Sequence, residues 1–307
     1  MPSTKSNSKP KPRLSFEAIG TQWQIDLGAS PERAAALVPV ITARINEFDK
    51  AYSRFRADSL ITAISRNAGT YTLPADAPPL LALYRAMYTA TDGAVTPLIG
   101  QALADAGYDA VYSLKPKQLT RPPAWEDVLH YRHPSLTVTQ PVLLDFGAAG
   151  KGYLLDILAD VLQAHDVHDY CIDAGGDMVR RTTAGSTLSV GLEDPDDTSK
   201  VIGTVTLANG SLCGSAGNRR KWASYHHILD PHTLRSPTVI KAVWVTADTA
   251  LLADGMTTCL FFAPPATLKK RFSFEYALLH ADGQVSCSAK FPGTLFTKVA
   301  NTHHEAA

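Results

Sequence analysis

At 307 residues the chain is long enough to bury a large core, either as one domain or as two lobes around a cleft. Its 45% hydrophobic and 19% charged content is that of a globular protein, and 29 basic side chains balance 29 acidic ones. That balance excludes a bulk attraction to nucleic acid or anionic membrane, so any anion site must be local; no apolar run reaches the length of a membrane span.

Residues 1–13 are polar, carry Lys5, Lys9 and Lys11, and lack an apolar signal region, a cleavage site or a lipidation cysteine. They read as a disordered tail ahead of a domain over 14–307, and the chain is expected to be cytoplasmic. Phe16, Trp23, Ile25 and Leu27 alternate in part, as in a hairpin turned at Ile19-Gly20-Thr21. Ser30 caps a helix with Pro31 at its first position, and Ala35, Leu37, Val38, Ile41, Ile45 and Phe48 follow at helical spacing. Tyr52 to Leu60 reads as a helix break whose rings serve the core. A second helix over roughly 79–91 leads to Asp92-Gly93-Ala94-Val95-Thr96-Pro97-Leu98. Lys115 to Pro134, rich in Pro, Lys and Arg, reads as a surface excursion between two lobes.

Leu136 to Leu144 reads as a strand that runs into Asp145-Phe146-Gly147-Ala148-Ala149-Gly150-Lys151-Gly152-Tyr153 and a helix to about His165. A helix N-terminus behind a turn of small residues suits an anion: its free N–H groups and positive dipole end face the ligand, and Lys151 adds a point charge. Taken alone the string is also an ordinary strand-to-helix turn. It is not a Walker A loop, because Asp145 stands where that motif has its first glycine and Gly152 where it has Ser or Thr.

Tyr170-Cys171-Ile172 reads as a strand ending in the glycine turn Asp173 to Asp177, where φ > 0 is expected. Strand-like runs over Thr187–Leu192, Val201–Leu207 and Ser211–Cys213 surround an acidic loop, so the fold is α+β and rich in antiparallel sheet. His226 and His227 are adjacent and face opposite ways on a strand, which argues against a shared metal ion. Val239–Val245 is a further strand, and a helix from Asp248 or Thr249 runs through Phe262. Asp254 and Thr258, four apart, share a helix face, and this all-oxygen pair suits Mg²⁺, though the same pairing occurs by chance in many helices. Cys171, Cys213, Cys259 and Cys287 show no C-x-x-C spacing and read as buried free thiols.

The central string, Asp173-Ala174-Gly175-Gly176-Asp177, His227-Ile228-Leu229-Asp230-Pro231 and Ala253-Asp254-Gly255-Met256-Thr257-Thr258, in this order, resemble the ApbE family of FAD:protein FMN transferases. The resemblance implies an ApbE-like fold with two lobes around an FAD cleft. It implies FAD as substrate, Mg²⁺ as cofactor, and an acceptor flavoprotein whose Ser or Thr receives FMN while AMP leaves. It places cofactor contacts at Ile19, Phe55, Ala94, Val95, Thr96, Gly147, Tyr153 and Ile228. Asp254, Lys151 and His227 carry the catalysis, with His227 packed and hydrogen-bonded in the cleft wall, and the Gly150 carbonyl, Asp254 and Thr258 hold the metal. Departures from the family pattern are Ile19 for a methionine, Thr96 for an aspartate, and Ala216 and Leu234 for glycines. Two other readings remain open at this stage: a metal-dependent FAD pyrophosphatase and a flavin-binding protein without turnover.

Overall fold

The computed structural model describes residues 11–296. Most of the expected tail, residues 1–10, lies outside the described residues, as does the end of the expected domain, 297–307. Its last three positions are tied down: Lys11 pairs with Asp169 at 3.3 Å, the Pro12 carbonyl accepts from Leu27 N–H, and Arg13 opens the first strand.

In chain order the elements are β1 (Arg13–Ala18), β2 (Thr21–Leu27), α1 (Pro31–Tyr52), α2 (Leu60–Ile64), β3 (Gly69–Thr72) and α3 (Ala77–Ala90), then a 3₁₀ turn over Pro97–Ile99. These are followed by α4 (Gly100–Asp105), α5 (Trp125–Val128), β4 (Leu129–Arg132), β5 (Ser135–Val138), α6 (Gly150–Ala164), β6 (Tyr170–Ala174), β7 (Asp177–Arg181) and β8 (Leu188–Glu193). The remainder is β9 (Val201–Leu207), β10 (Gly210–Ala216), β11 (Lys221–Trp222), β12 (Tyr225–His226), β13 (Ile240–Ala247), α7 (Ala250–Cys259), α8 (Pro265–Lys269), β14 (Glu275–His280), β15 (Val285–Cys287) and β16 (Gly293–Leu295).

The centre is an eight-stranded antiparallel sheet in the order β1-β2-β6-β7-β10-β13-β14-β15. Because strand side chains alternate between faces, Val243 and Val245 of β13 point into the core shared with α1, α3, α6 and α7, while Ala242 and Trp244 point the other way. On that second face Trp244 meets Leu192, Ile202, Val205 and Leu207 of the small sheet β16-β9-β8. The result is three layers of helices, large sheet and small sheet, an α+β fold as the short-strand pattern implied.

The hairpin β1-β2 turns through Ile19 (φ 43°) and Gly20 (φ 74°), two positive-φ residues of the kind that match strand twist in a two-residue turn. Ile19, β-branched, is held in a conformation it rarely adopts. Ser30 accepts from Arg33 N–H as the cap of α1, and Leu37, Ile41, Ile45, Phe48 and Tyr52 form its buried stripe.

Two expectations are corrected. The strand expected over Leu136–Leu144 stops at Val138 and pairs with β3 and β4, outside the large sheet; Pro141 cannot donate to a ladder, and 139–146 run without regular structure. The expected surface excursion over 115–134 packs in its second half, where Trp125, Val128 and Leu129 are buried. Among the described residues no helix is long and apolar enough to cross a membrane.

Candidate active site

The central turn is built from both sides before α6 begins. Asp145 Oδ1 accepts from Gly147 N–H at 2.7 Å, its other oxygen pairs with Arg54, and its own N–H donates to the Pro97 carbonyl at 2.7 Å. Tyr84 Oη accepts from Ala148 N–H at 3.1 Å. The N-terminus of α6 is not an open anion cradle, because Gly152 N–H donates to Asp254 Oδ2 of α7 at 2.8 Å. The favour is returned across the same contact: Asp156 of α6 accepts from Ala250 and Leu251 N–H, at 2.9 and 2.7 Å, at the start of α7. Each helix thereby closes the other's unsatisfied end.

Gly152 is what lets the helices meet. A Cβ there would overlap the Ala250 carbonyl and lie 2.6 Å from Asp254 Cβ. Gly152→Ala is expected to cost about 1–3 kcal/mol of stability by forcing α6 from α7. It should also displace Asp254, and urea melts beside activity measurements check this. A variant as stable and as active as wild type would show that the helices can part freely.

Beside that contact Lys151 Nζ meets Asp177 Oδ2 at 2.6 Å and the Ala174 carbonyl at 3.4 Å. Burial lowers the Lys151 pKa, but the charges of Asp177 and Asp254 outweigh it and the ammonium is held. The Asp254 carboxyl is pushed well up, by burial first and by Asp177 second, with Lys151 offsetting only part. Asp177 and Asp254 thus compete for the one ammonium of Lys151, and Asp177 holds it. Of the three residues expected to hold a metal, Gly150 and Thr258 line one cavity and Asp254 the other, and all three offer oxygen, the donor a hard divalent ion takes. Among the described residues no group of three His, Cys, Asp or Glu side chains converges, so this set holds a single carboxylate.

Two cavities, of about 380 and 400 Å³, meet here. The first has aromatic walls, Phe55, Tyr108, Tyr112 and Phe146, where Phe55 and Tyr112 stack at 5.3 Å. The second runs under β8 past Gly175, Gly176, Leu192 and Trp244. Gly20, Gly147, Lys151, Ser215, Arg220 and His227 line both, and so mark the junction.

The model of the ApbE family matches residues 19–276. The chain belongs to the ApbE family. It is 24% identical over 281 residues to the FAD:protein FMN transferase of Salmonella typhimurium, covering 84% of this chain and 80% of that one. To the protein of the same description from Treponema pallidum it is 28% identical over 257 residues, covering 74% and 71%. Among solved structures, the ApbE protein of Thermotoga maritima superposes with a TM-score of 0.80 at 20% identity, over 91% of this chain and 97% of that one. The flavin transferase ApbE of Vibrio cholerae gives 0.74 at 18%, over 92% and 98%. These likenesses show that the fold is the ApbE fold.

In this ApbE-family chain most residues singled out from the sequence come together. Ile19, Phe55, Ala94, Val95, Thr96, Gly147, Gly150, Lys151, His227, Ile228 and Thr258 line the first cavity, and Asp254 lines the second. Tyr153 does not join them: it lies outside both walls, packs against Phe48 and donates its hydroxyl to the Asp76 carbonyl. Thr96 spends its hydroxyl accepting from Leu98 N–H at 3.2 Å, capping the 3₁₀ turn. Arg54, Tyr108, Asp145, Asp177 and Arg220 were missed. Asp145 and Asp177 sit within the motifs and Arg54 within the Tyr52–Leu60 segment, whereas Arg220 gives no signal that spacing could reveal.

The histidine expected to be hydrogen-bonded in the wall is the other one. His226 Nδ1 accepts from Ile228 N–H at 3.3 Å, so its Nε2–H donates to the Pro237 carbonyl at 3.0 Å. His227 instead has a buried Nδ1 with no hydrogen-bond partner among the described residues. Burial, then the charge of Arg220, pushes its pKa down to about 3. The unfolded imidazole titrates near 6.5, so the unfolded chain binds the extra proton between those values. Stability from this group is therefore complete above pH 6.5 and lost as pH falls toward 3, at about 1.4 kcal/mol per pH unit. His227→Gln should flatten the stability profile between pH 6 and 4 by nearly one proton, as read from urea midpoints; parallel profiles would contradict the burial argument.

Proposed function

We propose that the chain is an FAD:protein FMN transferase that moves FMN from FAD to a Ser or Thr hydroxyl of an acceptor flavoprotein and releases AMP, with Mg²⁺ as cofactor. The observation that carries the reading is the junction itself, where the start of α6, Lys151, Asp254 and His227 converge between an aromatic cavity and a second opening. Flavin and adenine rings suit aromatic walls, and the diphosphate that joins them suits the charged junction. The relatives' shared description supports the same activity.

In the proposed reaction the acceptor oxygen forms a bond to the phosphorus of the FMN half while the bond from that phosphorus to the AMP oxygen breaks. The hydroxyl proton must leave as the new bond forms. At the junction Asp254 is the group placed to take it, since burial drops the His227 pKa to about 3 and leaves that imidazole too weak a base. Such a base is worth about 10²- to 10⁴-fold. The Gly150 carbonyl, Asp254 and Thr258 would hold Mg²⁺, which when bound neutralises charge on the phosphate oxygens. Lys151, fixed by Asp177, contributes a positioned positive charge at the wall.

The test is incubation with FAD, Mg²⁺ and candidate acceptor flavoproteins, followed by intact mass and AMP measurement. A mass gain equal to FMN on the acceptor is expected. AMP release that proceeds equally without any acceptor would instead make the chain an FAD pyrophosphatase. FAD bound without any AMP release would make it a flavin-binding protein.

A further inference from the structure

We propose that Arg220 is the side chain that clamps the diphosphate of the substrate, an inference that rests on the FAD reading above and names the residue that recognises its charged link. The cations along the two cavity walls are Arg54, Arg56, Lys151, Arg219 and Arg220. Four are committed to carboxylates: Arg54 to Asp145, Arg56 to Asp49 and Asp58, Lys151 to Asp177, and Arg219 to Glu193. Arg220 is engaged by no hydrogen bond or ion pair of its side chain among the described residues. The guanidinium carbon lies 6.0 Å from the centre of the Tyr108 ring.

Its place matches its availability. Arg220 is one of the residues common to both cavities, and its carbonyl accepts from His227 N–H at 3.2 Å, which ties the backbone to the junction. The positive field of the guanidinium reaches Tyr108, where it offsets part of the rise caused by burial, and His227, where it adds to the fall. A ligand whose two ring systems lie on either side of the junction would put its phosphates here. A planar guanidinium grips phosphate oxygens through two parallel N–H bonds, which the compact ammonium of Lys151, already held by Asp177, is not free to do. Lys151, the residue the sequence favoured for the anion, then acts chiefly by holding Asp177.

The experiment is equilibrium binding of FAD and of riboflavin, which has the flavin ring but no phosphate, in EDTA and at two salt concentrations. Arg220→Ala should weaken FAD about 10- to 100-fold, the loss of a charge-assisted contact, and leave riboflavin within about twofold. It should also flatten the salt dependence of FAD binding, and Arg220→Lys should keep part of both. FAD affinity of Arg220→Ala within twofold of wild type overturns the proposal. So does a parallel loss of riboflavin, which would mark a disturbed wall. Failure of the wild-type protein to bind FAD at all overturns the transferase reading first and this inference with it, and is told apart because no variant is then needed.

Discussion

Asp254→Asn should lower FMN transfer about a thousandfold or more while leaving FAD affinity within a fewfold of wild type. The amide retains an oxygen for Gly152 N–H, so the contact between α6 and α7 survives the change. What is lost is the one carboxylate of the proposed oxygen set. Stabilising the charge that builds up on phosphate oxygens is worth several kcal/mol, and each 1.36 kcal/mol removed is about tenfold in rate. FAD affinity draws instead on the aromatic cavity and the junction cations, which the substitution leaves in place. The measurements are AMP release and acceptor flavinylation across a Mg²⁺ titration, with FAD binding and circular dichroism beside them. More than a tenth of wild-type transfer at limiting Mg²⁺ would move the metal site elsewhere.

The second large effect belongs to Arg54, to which the sequence reading gave no role. Arg54 and Asp145 have side chains 3% and 11% exposed, and they pair directly; Arg54 Nη1 also donates to the Tyr108 carbonyl at 2.7 Å. The guanidinium stacks on the rings of Phe55 and Tyr108, 4.1 and 4.8 Å from their centroids. Arg54→Leu removes one ion and strands the other in a wall that water scarcely reaches, at a cost of about 3–5 kcal/mol. Asp145 would then turn outward and release Gly147 N–H, so FAD affinity should fall together with stability. The double change Arg54→Leu with Asp145→Asn removes both charges and keeps an acceptor for Gly147, and should recover more than half of the loss. Urea denaturation of the four proteins of this cycle decides it. A single-variant cost under 1 kcal/mol would mean that water reaches the pair.

What the sequence made legible is what local physics decides. The Ser30 cap, the spacing of Leu37, Ile41, Ile45 and Phe48 and the turn at Ile19-Gly20 depend on neighbours within a few residues, and the structure repeats them, while Ala35 and Val38 of the same expected pattern face outward. The motifs also located the junction, because the close approaches at Gly152 and Gly175 admit little but glycine. The misreadings have one cause, which is partners far away in the chain. Leu143 and Leu144 look like strand but lie in an irregular segment anchored to Pro97. Tyr153 follows Lys151 and Gly152 in the motif, yet helical rotation turns it from the cleft toward Asp76. His226 and His227 exchange their expected hydrogen-bond roles according to where Pro237 lies. Arg220 stands out only when the four other cations along the cavity walls are seen to be paired with carboxylates.

The exchange of end groups between α6 and α7 has a mechanical consequence. A helix free at one end can slide along its axis by a fraction of a turn, but here Asp156 and Asp254 act as opposed stops, one blocking travel in each direction. The two helices therefore form a single rigid strut. Gly150 and Lys151 ride on one limb, Asp254 and Thr258 on the other, and the spacing between them is set by the strut before any ligand arrives.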